Sequence, residues 1–235
     1  MISAELFSPT FYRAIKAGSK IASRGQTMRT RLAAAALATM LLGAGPTRAE
    51  DLKAFKLTID GVVVDIDPGE DVDVTLPGGK TSKVRLEHNE FATFSGGTFS
   101  FVHRSSMSVT KSDLGDSIAQ YLMASALGTI IVVQEYGKMN PVSLNQLMLQ
   151  EMTKESVQAG GTLTQKPTTR KLPDGKELTG VKATVKTRTD SADFEIVGFG
   201  TADRGLLFIT RIGDQDVATE QPMIDKFWET LKVKL

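Results

Sequence analysis

Thr129-Ile130-Ile131-Val132-Val133-Gln134-Glu135-Tyr136 is the most β-branched segment of the chain. Branching at Cβ restricts the side chain and suits a pleated, packed surface, so this run is expected to be a strand central to a sheet. Working back from it, residues 117–124 form a second strand-like run, joined to the first at Gly128. Before that, Phe91 and Phe94 precede Ser95-Gly96-Gly97, and Phe99, Phe101, Met107 and Val109 alternate with polar neighbours across a turn near Arg104-Ser105-Ser106.

Working forward, a helix is expected over residues 143–159. Ser143 followed by Gln146 reads as a capping box, with Val142 and Leu147 as a hydrophobic staple. Leu144, Leu147, Met148 and Met152 make an apolar stripe at helical spacing, and Gly160-Gly161 ends it. Four strand-like runs then occupy 162–170, 177–188, 193–201 and 205–211, separated by Pro173-Asp174-Gly175, Asp190-Ser191 and Asp203-Arg204-Gly205. A last helix over 222–231 is expected to open at Pro222, a residue suited to a first helical position, with Ile224, Phe227, Trp228 and Leu231 on one face.

Ahead of all this, residues 53–90 read as short consecutive strands. Phe55, Leu57 and Ile59 alternate up to the hairpin-type turn Asp60-Gly61. Val62 to Ile66 leads into Asp67-Pro68-Gly69-Glu70, and Val72, Val74 and Leu76 run to Pro77-Gly78-Gly79-Lys80. The fold class implied is α+β: mostly antiparallel sheet with two main helices, preceded by a β-meander over 50–90.

Residues 28–49 have the three parts of a secretory signal. Arg29 and Arg31 are the positive region, Leu32 to Leu42 is an uncharged apolar run, and Thr47-Arg48-Ala49 offers small residues before a cleavage at Glu50. The run is too short to span a bilayer, which takes about 20 residues. Residues 1–27 are either an extension ahead of a true start at Met28 or a basic, acid-poor presequence.

Removing 1–49 changes the charge. That segment holds seven of the 28 basic residues and one of the 27 acidic ones, leaving 21 and 26 from Glu50 onward, a net charge of −5. Such a body has no electrostatic reason to seek nucleic acid or an anionic membrane. The chain has no cysteine, which excludes disulfides, thiolate metal sites and a cysteine nucleophile.

The strand leading into Gly128-Thr129-Ile130-Ile131-Val132-Val133, the helix over 143–159, and the ending Gly205-Leu206-Leu207-Phe208-Ile209-Thr210 followed by Phe227-Trp228-Glu229-Thr230-Leu231 resemble the PsbP-like superfamily in their order. The resemblance covers 91–235 and leaves the meander outside it. It implies an α/β sandwich and an accessory or binding role. It carries over no functional residue.

The candidate chemistry is sparse. Ser108-Val109-Thr110-Lys111 has the S-x-x-K spacing of penicillin-recognising enzymes, but those need the serine at a helix start, and this context alternates like a strand. Gly79-Lys80-Thr81 lacks the first glycine and the following helix of a phosphate-binding loop. Asp65, Asp67, Glu70, Asp71 and Asp73 invite a calcium reading; Pro68-Gly69 breaks EF-hand spacing, which leaves weak binding along one hairpin edge or a solvated hairpin. His88 and His103 are the only histidines, and neither lies in a ligand motif. His103-Arg104 could help hold an anion, and Phe227, Trp228, Met148 and Met152 read as core. No cofactor is expected.

These observations point first to an exported, soluble, non-enzymatic binding or accessory protein of the cell envelope, acting through a protein partner or small ligand. Two rivals stand beside it: a hydrolase with dispersed acids, Glu135 next to Tyr136 being the nearest acid/base pair, and a subunit whose meander adds strands to a partner sheet.

Overall fold

The computed structural model describes residues 52–235. The signal segment and the residues before it lie outside the described residues. The described chain forms two compact units, 52–89 and Glu90–Leu235.

The first unit is the meander, resolved into two antiparallel hairpins. Strands β1 (Phe55–Ile59) and β2 (Val62–Ile66) pair with Leu57 opposite Val64. Asp60 and Gly61 both take positive φ, 48° and 83°, which the tight turn between right-twisted strands requires. Strands β3 (Asp71–Thr75) and β4 (Thr81–Arg85) form the second ladder. The N–H of Gly69 donates to the Leu86 carbonyl at 2.7 Å, beside a parallel bridge between Pro68 and Leu86. Burial alternates along each strand and is complete only at Ile66 and Val74.

The second unit is built on a seven-stranded antiparallel sheet. Its strands are β7 (Thr110–Asp113), β8 (Ile118–Ala124), β9 (Ile130–Tyr136), β10 (Thr162–Lys171), β11 (Glu177–Lys186), β12 (Ser191–Gly200) and β13 (Gly205–Gly213). They lie in the order β10-β11-β12-β13-β9-β8-β7, so the β-branched run is interior, paired on both sides. A smaller sheet holds β5 (Phe91–Ser95), β6 (Phe99–Arg104) and β14 (Lys232–Val233), with β6 in the middle.

Alternate residues of the large sheet feed two separate cores. Ile130, Val132, Leu207 and Ile209 pack with Leu144, Met148 and Leu149 from helix α1 (Asn145–Gln158) and the turn before it. Ile131, Val133, Leu206 and Phe208 pack on the opposite face with Phe227 and Trp228 of helix α2 (Val217–Thr230) and with Phe99 and Phe101 of the small sheet. Burial on both faces explains why Ile130 to Val133, the first part of β9, is apolar without alternating, while Gln134 and Glu135 after it are hydrogen-bonded. The aromatic contacts are close: Phe227 lies 4.7 Å from Trp228 and 4.9 Å from Phe101 between ring centroids. Each such ring contributes about 1.5–3 kcal/mol by burial alone.

Both helices start elsewhere than the sequence suggests. Ser143 is not the cap of α1. Residues Pro141–Leu144 form a 3-10 turn, and the cap is Asn140, whose Oδ1 accepts the Val142 N–H at 3.1 Å. Pro141 explains the shift, since proline suits the first position of a helical turn and follows a capping residue well. The stripe shifts accordingly: Leu149 is buried and Leu147 is 39% exposed. Helix α2 begins at Val217, after a 3-10 turn at Asp214–Asp216, and carries Pro222 inside it. A proline there removes one intrahelical bond. Ala218 and Pro222 are both exposed, while Met223, Ile224, Phe227 and Trp228 stay buried.

Gly180 sets the spacing between β11 and β12. A Cβ there would lie 1.9 Å from the Ile196 carbonyl oxygen and 2.7 Å from Val197 Cα. Only glycine lets β11 approach β12 this closely, and Lys182, Asp193 and Glu195 of the open sheet face stand on these two strands.

Candidate functional site

Helix α2 covers only part of its face of the large sheet. Over β10 to β13 that face is an open groove of about 510 Å³, with Gln221 and Ile224 of α2 on one wall. Its floor follows from the strand register. One rung runs Lys166, Lys182, Glu195, Thr210 across the four strands, and the next runs Thr164, Thr184, Asp193, Ile212. Strand side chains point to one face at every second residue, so these eight share the side on which α2 packs.

Glu195 is buried, its side chain 9% exposed. Arg170, further along β10, reaches it with both arms of its guanidinium: Nε donates to Oε1 at 2.9 Å and Nη2 to Oε2 at 2.5 Å. Lys182 Nζ stands 3.7 Å from the same carboxylate. A buried carboxylate requires such a partner, and the planar two-toothed geometry is what arginine supplies and lysine does not. The guanidinium also lies over Trp228, 4.4 Å from the ring centroid. Among the described residues the buried indole Nε1 has no hydrogen-bond partner, and the ring serves as a stacking surface for the guanidinium. In the adjoining rung, Thr184 Oγ1 donates to Asp193 Oδ1 at 2.6 Å.

None of the polar residues singled out from local sequence as candidate chemistry lines this groove. Asp67 and Glu70 converge instead on Lys53 in the first unit, whose Nζ is 3.2 Å from Asp67 Oδ2 and 3.1 Å from Glu70 Oε2. The Ala54 N–H, donating to Asp67, and then Lys53 hold the Asp67 carboxyl below its usual value. The Asp67 N–H and Lys53 do the same for Glu70, and Lys53 is raised in turn, chiefly by Glu70. Asp65 faces Lys56 at 4.0 Å and Asp71 faces Arg85 at 3.7 Å, while Asp73 stands opposite Lys83 in the ladder. Among the described residues no three or more of His, Asp or Glu are grouped so as to hold a metal ion.

His88 is exposed, edge-on to Phe55, and His103 Nδ1 lies 2.8 Å from the Arg104 carbonyl at the end of β6. Ser108 lies in an irregular segment and Lys111 on the outer strand β7, with no helix between them. Lys80 lies in the loop of the second hairpin, closed by a Leu76 N–H to Lys80 carbonyl bond of 2.8 Å. Glu135 accepts from Thr98 Oγ1 at 2.6 Å and from Tyr121 OH at 3.4 Å, away from the groove. Tyr136 faces the α1 core, donating to Gln134 at 2.8 Å, and burial pushes its hydroxyl up.

Sequence reading passed over Lys166, Arg170, Lys182 and Glu195. One signal for them was present: Glu195 is a lone acid in the apolar run Phe194-Glu195-Ile196-Val197, a placement that requires a buried partner.

Among the described residues no helix is long and apolar enough to cross a membrane. No family model and no curated protein matches the chain. Among solved structures it is similar to a protein from Bacteroides thetaiotaomicron VPI-5482, with 8% identity over 63% of this chain and 49% of that one, at a TM-score of 0.30. The match thus spans about half the length of that protein.

Proposed function

We propose that the protein is exported to the periplasm or cell exterior and acts there as a non-enzymatic binding or accessory protein, using the groove over β10–β13. The observation that carries this reading is the condition of Glu195. General acid or base chemistry needs a carboxyl group free to exchange a proton with a substrate. Glu195 is the buried acid of the groove floor, and both its oxygens are engaged by Arg170. What the groove leaves exposed are ammonium, hydroxyl and amide groups and the Asp193 carboxylate, one oxygen of which is held by the Thr184 hydroxyl at 2.6 Å.

The hydrolase reading rests on Glu135, both of whose oxygens take hydroxyl donors outside the groove. Strand addition to a partner sheet would fall to the meander strands β1 to β4, which lie outside the groove. The PsbP-like element order points toward a binding role as well.

Two measurements test the proposal. N-terminal sequencing of protein recovered from the envelope or medium should begin at Glu50; retention inside the cell with residues 1–49 intact defeats the export half. For the groove, native mass spectrometry on a metabolite mixture should show adducts that Thr184→Trp removes by filling the floor. Turnover of an ester, glycoside or peptide that disappears in Glu135→Gln would instead establish the hydrolase.

A further inference from the structure

The rung Lys166–Lys182–Glu195–Thr210 is unbalanced in charge. Lys166 and Lys182 stand directly opposite one another across β10 and β11. Like charges so placed repel, their Cβ atoms being only about 5 Å apart. The one acid of the rung is already held by Arg170, and Lys182 comes no nearer to it than 3.7 Å. Among the described residues Lys166 forms no ion pair. Asp193, in the next rung, is engaged by the Thr184 hydroxyl. Counting Lys166, Arg170 and Lys182 against Asp193 and Glu195, the groove keeps one surplus positive charge, placed between two exposed ammonium groups.

We infer that the groove takes a small polar organic anion, its carboxylate or phosphate group seated between Lys166 and Lys182 and its body lying along Thr164 and Thr184. This rests on the groove being a binding site and specifies what it binds. The volume of about 510 Å³ is that of a small-molecule site. Lysines act as point charges with three donors each and accept either oxyanion. Thr164, Thr184 and Gln221 add hydroxyl and amide groups for a hydroxylated body, beside the apolar Ile212 and Ile224. The net charge of −5 from Glu50 onward repels an extended polyanion or an anionic membrane, but does not prevent one compact anion from meeting a local cationic pair.

The test is isothermal titration calorimetry of the full chain with citrate, glucose 6-phosphate, inorganic phosphate and glucose. Saturable binding is expected for citrate or glucose 6-phosphate, whichever group is preferred, with inorganic phosphate weaker and glucose silent. Lys166→Met or Lys182→Met should each weaken it about tenfold, the order of one charge-assisted hydrogen bond, and the double variant should abolish it. Both lysines are exposed, and unchanged circular dichroism would show that the variants fold. Added salt should weaken binding. Anion binding that persists in the double variant overturns the inference, as does the absence of binding by all three anions at millimolar concentration. Glucose binding that Thr184→Trp blocks would overturn the anion assignment while leaving the groove as a binding site. Binding of any probe that Thr184→Trp leaves untouched would overturn the groove itself.

Discussion

Arg170 and Glu195 are 25 positions apart in sequence and form the closest-bonded charge pair in the groove. Their energetics follow from unequal exposure: the arginine side chain is 28% exposed and the glutamate 9%. Removing the arginine strands a buried carboxylate with only Lys182 nearby, whereas removing both charges strands nothing. Arg170→Ala should therefore destabilise the protein by about 1–3 kcal/mol, less than for a fully buried pair. Glu195→Gln in that background should recover part of the loss. Urea denaturation followed by the single tryptophan reads this directly, because Trp228 lies under the guanidinium. Arg170→Lys should also lose stability, keeping the charge but neither the two-toothed contact nor the stacking. If Arg170→Ala and the double variant are equally unstable, the pair is not what holds Glu195 in place.

At the scale of elements, the entry to α1 separates local pattern from actual geometry. Ser143 and Gln146 satisfy the capping-box spacing, yet Asn140 caps the preceding turn and its Nδ2 also donates to the Gly200 carbonyl at 3.4 Å. Asn140→Ala should cost about 1 kcal/mol, and Ser143→Ala, at an exposed site, should fall within about 0.5 kcal/mol of the parent. The reverse order in thermal denaturation would restore the capping box. The strands of residues 162–211 were legible from the turn residues between them, with alternation in β11 and a continuous apolar run in β13, as two-faced burial produces. Helix starts were less legible. Proline is compatible with several positions near a helix start, and tertiary burial decided which one it took.

For the molecule as a whole, the two units differ in how they are held. Glu90–Leu235 contains both apolar cores, while 52–89 fully buries only Ile66 and Val74. A fragment of 90–235 should unfold cooperatively in urea, whereas 52–89 alone, two short hairpins, should show no protected amides. Within the intact chain the first unit should respond to acid. Asp67 and Glu70 have folded pKa values below their unfolded ones, so their contribution is present above about pH 4 and is lost as pH falls through the folded values. Lys53 is raised, so its share persists until pH rises through its own folded value, far into the alkaline range. Hydrogen exchange of 52–89, corrected for intrinsic rates, should accelerate on acidification from about pH 6 to about pH 3. Lys53→Met should flatten that dependence. A profile in Lys53→Met identical to the parent would show that the backbone donors alone set it.

The sequence by itself determined the α+β class, the order of the main strands and helices, the β-branched interior strand 130–136 and the charge of the chain beyond residue 49. These depend on periodicity and composition, which neighbouring residues carry between them. Only the tertiary structure decided which charges meet. Lys166 opposite Lys182, Arg170 on Glu195 and Lys53 between Asp67 and Glu70 come from hairpin register and strand twist, which bring together residues 16, 25, 14 and 17 positions apart. A shift of one residue in any of those registers would turn the same side chains to the opposite face, so no local reading of the chain could have placed them.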